Sequence, residues 1–261
     1  MSKRRPLILV TNDDGISAPG IIALAETMKQ LGEVVVIAPD KPQSGTGHAI
    51  TINSAIRINK TNYHNVSQEF SLSGTPVDCV KMAFSKVLKR RPDICVSGIN
   101  HGSNISINVI YSGTMSAAVE AAVEGIPSIG FSLLDYSIEA DFTASKKYVR
   151  EISLQVLKHG LPKDTCLNVN IPKLSYSEIE GIKVCRQARA NWVEEFDERK
   201  DPSGKPYFWL TGKFINYDKG KTDTDVWAIE KGYVSVVPVQ FDLTAYPAIT
   251  HTEKIFKKNK K

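Results

Sequence analysis

The sequence predicts an α/β fold: a Rossmann-like, mostly parallel sheet flanked by helices, with a β-rich C-terminal extension. Three observations lead there. Short, continuously apolar runs of strand length recur along the chain. Helix-length amphipathic stretches lie between them. After about residue 173 that rhythm gives way to alternating segments and turn chemistry. Short apolar runs fit strands buried on both faces of a parallel sheet, and strand, loop, helix, strand is the βαβ unit. The expected division is a Rossmann-like core over residues 1–173 and a β-hairpin with C-terminal extension over 174–261.

In chain order, residues 6–11 (PLILVT) form the first strand, stopped by Asn12-Asp13-Asp14-Gly15. A helix is predicted from Pro19 to Leu31, with Ile22, Leu24, Ala25, Met28 and Leu31 apolar and Gly32 as its terminator. Val34 to Ala38 is the second strand. Pro76 to Lys89 reads as a helix on the apolar spacing of Val77, Val80, Ala83, Phe84, Val87 and Leu88. There follow a strand from Asp93 to Ser97, an alanine-rich helix from Ser112 to Glu124, a strand from Pro127 to Ser132, an amphipathic helix from Phe142 to Leu157 and a strand from Cys166 to Ile171. Beyond residue 173, Ile182 to Val193 alternates. The segment Asp201-Pro202-Ser203-Gly204-Lys205-Pro206 is a turn before a second hairpin arm at Phe208 to Phe214. Asp225 to Lys231 makes one or two helical turns, and Tyr233 to Val239 a last strand. This extension is expected to wrap its own core or a neighbouring subunit.

The chain's 261 residues, 42% hydrophobic and 23% charged, suffice for a sizeable core. The net charge of +5 is concentrated at the ends, at Lys3, Arg4 and Arg5 and at Lys254, Lys257, Lys258, Lys260 and Lys261. These read as solvated termini. No basic stripe with interleaved aromatics marks a dedicated nucleic-acid surface. The four cysteines, Cys79, Cys95, Cys166 and Cys185, form no CxxC pair; they read as small buried residues in a reducing compartment, with no zinc site. No apolar run approaches the ~20 residues of a membrane span, and the N-terminus has no signal-length apolar region. The expected location is cytoplasmic.

Ligands of open α/β sheets bind beyond the carboxyl ends of the strands, so the loops there are the candidates for chemistry. Asp13 and Asp14 follow the first strand; adjacent carboxylates repel, and a divalent cation would use both. A plain Asx turn is the competing reading. The segment from Ala38 to His48 is rich in glycine and hydroxyls, yet has neither the GxxxxGK[ST] nor the GxGxxG spacing. In the loop from Ser97 to Asn104, Asn100 offers a neutral carbonyl oxygen to a metal. Ser112-Gly113-Thr114 opens a helix, a natural phosphate site, with ordinary N-capping as the alternative. Acidic oxygens at one strand end and anion-binding amides and hydroxyls at others suit a hard cation plus a phosphate, and hence phosphate-monoester hydrolysis.

Several segments together resemble the SurE (survival protein E) nucleotidase family: NDDG at 12–15, SGTGHAIT at 44–51, SGTPVDCVK at 73–81, SGINHGSN at 97–104, YSGTMSAAVEAAVEG at 111–125, RQARANW at 186–192 and TDTDVWAIEKGYVSVVPV at 222–239. The likeness spans nearly the whole chain. It implies hydrolysis of nucleoside 5′-monophosphates, often 3′-monophosphates, and in some members polyphosphate. It implies one Mg²⁺ or Mn²⁺ on Asp13, Asp14, Ser44 and Asn100, and a phosphate loop at Gly45, Ser112, Gly113 and Thr114. His48 and Asn104 complete the expected substrate-binding set. Asp13 and Asp14 are the expected catalytic pair, and His48 and His101 are candidates to protonate the leaving oxygen. Tyr111 and Trp192 are placed to stack on a base or to pack. Homodimers or homotetramers with exchanged C-terminal elements are implied as well. Two other readings stand beside this one: an aspartyl-phosphate route through Asp13, though the DxDx[TV] pattern is absent, and a non-catalytic nucleotide- or phosphate-binding module.

Overall fold

The computed structural model describes residues 4–137 and 139–257. Lys3, Lys258, Lys260 and Lys261, read above as parts of basic termini, lie outside the described residues.

Eleven strands and six α-helices are described. The first βαβ unit is β1 (Leu7–Thr11), α1 (Pro19–Met28) and β2 (Glu33–Pro39). A hairpin follows, β3 (Ile58–Lys60) and β4 (Gln68–Leu72), then α2 (Pro76–Met82). The core continues through β5 (Ile94–His101), α3 (Gly113–Val123), β6 (Ser128–Leu133), α4 (Thr143–His159) and β7 (Thr165–Ile171). The last third contains β8 (Ile182–Val184), the long arms β9 (Ala190–Lys200) and β10 (Pro206–Asn216), α5 (Asp225–Glu230), β11 (Val234–Gln240) and α6 (Tyr246–Phe256).

Nine strands make one sheet in the order β3-β4-β2-β1-β5-β6-β7-β11-β8, and β9 and β10 pair with each other in a second. From β4 to β7 every pairing is parallel. The expected Rossmann-like, mostly parallel sheet is therefore present. Alternation within β1 sorts the core into two layers. Ile8 and Val10 face α1 and α4, with Ile21, Leu24, Met28, Val149 and Ile152. Leu7 and Leu9 face α2 and α3, with Val80, Ala117 and Ala121. Period-two burial on both faces is why these strands read as unbroken apolar runs.

The chain departs from the sequence reading at several points. β3 and β4 have no apolar run to betray them, because β4 buries Glu69. The hairpin supplies that carboxylate with the Thr61 hydroxyl at 2.7 Å and the Tyr63 and His64 amides at 2.7 and 2.8 Å. The helix expected to reach Leu31 ends at Met28. Gly32 is not a left-handed cap: a Cβ there would lie 2.5 Å from the Pro6 carbonyl oxygen, so the glycine serves a close approach of chains. The helix expected to reach Lys89 is α-helical only to Met82 and then opens into a wide π-type turn over Ala83–Val87. β5 runs on through His101 with a register shift between Ser97 and Asn100, where a loop was expected. The alternating stretch from Ile182 to Val193 is broken between β8 and β9, which lie in different sheets. α6 was unforeseen; its β-branched, polar sequence has little helix propensity, and it buries no residue.

β8 and β11 join the main sheet beside β7, β11 antiparallel to it, so the last third completes the core as well as projecting from it. All four cysteines are free and buried, as read. Burial pushes the Cys95 and Cys166 thiols up to about 12, which leaves them inert. Among the described residues no helix is long and apolar enough to cross a membrane.

One cluster fixes how the chain after β2 returns to the fold. Asp78 accepts the Thr75 amide at 2.9 Å in a capping box at the start of α2. It also accepts the Thr51 amide at 3.1 Å and the Thr51 hydroxyl at 2.6 Å. Asp78→Ala removes the cap and unpairs the partly buried Thr51 contact. It is expected to lower unfolding free energy in urea by about 2–3 kcal/mol. A loss below about 0.5 kcal/mol would show that the cluster is not a structural tie.

Candidate active site

β1 has β2 on one side and β5 on the other, so successive connections leave it in opposite directions. This is the topological switch point where open sheets form a crevice. The parallel register Thr11↔Ser97 brings the ends of β1 and β5 side by side. Asp13 and Asp14 follow the first; Asn100 and His101 close the second. The loop after β2 folds back over them, since the Gln43 amide donates to the Asp13 carbonyl at 2.8 Å and the Gly47 amide to the Tyr111 carbonyl at 3.2 Å. Asp13, Asp14, Ser44, Gly45, Asn100 and Ser112 thereby line one open cleft of about 230 Å³.

Asp13 is 4% exposed and Asp14 lies at the cleft surface. Burial, and then the neighbouring Asp14 charge, push the Asp13 carboxyl up to about 6, against the pull of Thr114. The Thr114 hydroxyl donates to Asp13 from the first turn of α3. Gly113 makes that approach possible: a Cβ there would lie 2.7 Å from the Asp13 Cβ. Ser112 is the N-cap of α3, its hydroxyl accepting the Met115 amide at 3.0 Å. Its capping role and its place on the cleft wall are thus compatible. Asn100 directs its NH₂ to the His101 and Gly102 carbonyls at 3.2 and 2.8 Å, which leaves Oδ1 as its acceptor atom. Among the described residues no Lys or Arg pairs with Asp13 or Asp14, and no three His, Cys, Asp or Glu side chains converge. Asp13, Asp14, Ser44 and Asn100 each offer oxygen here.

The two histidines part company. His101 lines the cleft, with Nδ1 3.4 Å from Asp14 Oδ2 and its ring edge-on to Phe142 at 5.4 Å. Its Nε2 is buried without a hydrogen-bond partner. His48 is not brought to the cleft wall; its Nε2 pairs with Glu120 on α3 at 2.8 Å. Asn104 reaches the cleft but is also structural. Its amide NH donates to Asn170 Oδ1 at 2.7 Å, its NH₂ to the Ser132 hydroxyl at 2.8 Å, and its carbonyl accepts from Asn168 at 2.7 Å. Tyr111, half exposed, borders both the cleft and an adjoining groove of about 440 Å³ that includes Trp192, Leu210 and Gly212. The Trp192 indole NH donates to Asn108 Oδ1 at 2.8 Å, and its ring meets Phe214 edge-on at 5.5 Å.

Sequence reasoning missed the groups that hold this wall. Asp225, fully buried, accepts the Ser106, Ala188 and Val226 amides at 2.8, 2.9 and 2.8 Å. The Ser106 hydroxyl bonds the Ala188 and Ala190 carbonyls, both at 2.9 Å. A carboxylate 119 residues away thus ties the cleft wall to the base of β9. The signal was an aspartate in an apolar, helix-opening segment, which only a tertiary partner explains.

Residues 8–194 match the family model described as Survival protein SurE. The chain belongs to the SurE family. It is 65% identical over 250 residues to a protein of Christiangramia forsetii named 5′-nucleotidase SurE, covering 94% of this chain and 95% of that one. It is 63% identical over 246 residues to the 5′-nucleotidase SurE of Flavobacterium psychrophilum, with the same coverage. The crystal structure of the SurE protein from Aquifex aeolicus superposes with a TM-score of 0.84 at 40% identity, covering 96% of this chain and 99% of that one.

The raised Asp13 carboxyl has a thermodynamic consequence. A folded-state pKa of about 6 against an ordinary 3.8 means that folding favours the protonated group. The stability this contributes is complete below about pH 4 and lost as the pH rises through about 6, a swing of about 3 kcal/mol. In EDTA, Asp13→Asn is therefore expected to be more stable than the parent at pH 7.5, by up to about that amount, with the gap closing at pH 4. Urea unfolding at both pH values measures it, and equal stability of the two proteins at pH 7.5 would contradict the buried-charge account.

Proposed function

We propose that the protein is a divalent-metal-dependent nucleotidase. On this reading it hydrolyses nucleoside 5′-monophosphates, and also 3′-monophosphates and polyphosphate, to release phosphate. The observation that carries this reading is the pair Asp13 and Asp14. They sit at the end of β1, with no cationic side chain among the described residues to neutralise Asp13, facing the first turn of α3. A pure anion-binding module has no reason to aim two carboxylates at its ligand. The names of the relatives at 63% and 65% identity support the same activity.

The residues fit a hard cation. Asp13, Asp14, the Ser44 hydroxyl and Asn100 Oδ1 are the proposed ligands, one Mg²⁺ or Mn²⁺ being the proposed ion; oxygen-only donors favour these over zinc. A cation so held supplies Lewis-acid polarisation of the phosphate and a more acidic water. The chain supplies the rest. Ser112, Gly113 and the amides of the first turn of α3 face the phosphate, where the helix N-terminus favours negative charge. Thr114 holds Asp13 in place, and Gly45, with φ of 71°, gives the loop after β2 its left-handed turn. His101 is the better placed of the two histidines to give a proton to the leaving oxygen, with Asp14 beside its ring. His48 and Asn104 support the loops that carry the site. The groove bordered by Tyr111 and Trp192 adjoins the cleft and takes the nucleoside.

Self-association is part of the proposal. Phe196, Phe208, Trp209 and Leu210 on the β9–β10 hairpin are each more than half exposed, as are Ile255 and Phe256 on α6. A second copy of the chain is the natural cover for so much apolar surface, giving a homodimer or homotetramer. A division into a core over residues 1–173 and an associating extension over 174–261 goes with it, as does a cytoplasmic location.

The test is turnover of AMP, 3′-AMP, a short polyphosphate and p-nitrophenyl phosphate with Mg²⁺ or Mn²⁺, with and without EDTA. Hydrolysis abolished by EDTA and restored by the cation is expected. Asp13→Asn is expected to lose at least about a thousandfold in kcat/KM while keeping its fold. Absence of turnover with every divalent cation tried would favour a binding module instead.

A further inference from the structure

A groove of about 550 Å³, larger than the cleft, is framed by the end of α2, the wide π-type turn and the end of α3. It lies beside the start of β5, the end of that strand remote from Asn100. π-Type turns are rare and recur at functional sites. Four cations, Lys81, Lys89, Arg90 and Arg91, line this groove against one carboxylate, Glu124, over a floor made by Phe84 and Leu88.

These cations are not equally engaged. Arg90 pairs with Asp93 at 3.0 Å. Arg91 lies over the Phe84 ring at 5.7 Å and donates to the Glu124 backbone carbonyl. Neither Lys89 nor Arg91 has a carboxylate partner among the described residues. Lys81 does: its ammonium is 2.5 Å from Glu120, whose buried carboxylate also holds His48 at 2.8 Å. His48 belongs to the loop that brings Ser44 and Gly45 over the aspartate pair. An anion in the groove therefore competes with Glu120 for Lys81, and Glu120, through His48, is one of the groups that anchor the catalytic loop, with Asp78 on Thr51 and Thr75 on the Ala49 carbonyl.

We propose that this groove is a second anion site, taking a pyrophosphate group, free or borne by a small molecule, and that it is coupled to the catalytic loop through Lys81, Glu120 and His48. Lys89 and Arg91 offer directed donors for phosphate oxygens, the guanidinium already oriented by the Phe84 ring and the Glu124 carbonyl. Lys81 swings between Glu120 and the ligand. When the ligand draws it away, the buried carboxylate keeps only its contact with His48, and the anchoring of residues 46–50 weakens.

Calorimetric titration of the full chain with sodium pyrophosphate, in EDTA and low salt, tests the site apart from the proposed hydrolysis. Without a cation the uncompensated Asp13 and Asp14 carboxylates in the cleft repel the probe. Saturable binding is expected. It should weaken at least about tenfold in Lys89→Glu/Arg91→Glu and measurably in Lys89→Glu alone, and persist in Asp13→Asn. No binding at millimolar pyrophosphate, or binding indifferent to both groove variants, overturns the site. A nucleoside diphosphate that binds tighter than pyrophosphate assigns the Phe84 and Leu88 floor to its nucleoside; equal affinity assigns the groove to the bare anion. Hydrogen exchange at residues 46–50 is expected to quicken on saturation with pyrophosphate, and unchanged exchange overturns the coupling.

Discussion

The side-by-side parallel alignment of β1 with β2 and β5 governs everything above it. Because the chain leaves β1 in one direction and returns to its other edge through β5, no helix covers the ends of these strands, and a crevice is left there. Asp13 and Asn100 enter that crevice from the adjacent strands β1 and β5, just beyond the last paired residues Thr11 and Ser97. α3 is then laid with its first turn against Asp13. The approach is so close that a methyl group on residue 113 would displace the carboxylate. The site is preorganised by backbone, and the electrostatic consequence is unfavourable in isolation: a buried carboxylate beside another, with its proton held to about pH 6. Stability is given up at the pair where the proposed cation would restore it.

The cleft wall is held by buried polar groups instead of apolar packing. Asn168 and Asn170 on β7 clamp the segment after β5 through Asn104. Asp225 clamps the next turn through Ser106, and Asp78 clamps the loop after β2 through Thr51. Hydrogen bonds are directional where apolar contacts are not, so such ties specify one loop conformation. Each carboxylate or amide is satisfied mainly by backbone amides or carbonyls, which makes the arrangement insensitive to the side chains of the loop itself.

The C-terminal third has two characters. β8 and β11 extend the main sheet and bury Val234, Val236 and Val237. The β9–β10 hairpin and α6 leave the same core with large apolar side chains outward. Pro238 in β11 pairs with β7 on one edge, beyond the reach of β8 on the other, which is where a strand tolerates the missing donor.

Much of this was legible in the residues. Strands buried on both faces reveal themselves as continuous apolar runs, and Asp13, Asp14, Asn100 and Ser112 stand just beyond or at the ends of such elements, where local pattern suffices. β4 was hidden because it buries Glu69, whose donors Thr61, Tyr63 and His64 are near in sequence but face it only once the hairpin has closed. His48 and His101 were indistinguishable in sequence, each a lone histidine in a glycine-rich loop. Tertiary packing separated them, sending one to Glu120 and the other to Asp14. The sequence by itself determined the order of the buried parallel strands and the helices between them, and which strand-end side chains carry oxygen and hydroxyl groups, because periodicity and side-chain chemistry are local. Which of those residues share a cleft, and which carboxylates serve as struts, was decided only in three dimensions, because a buried charge must find its partners wherever the fold brings them.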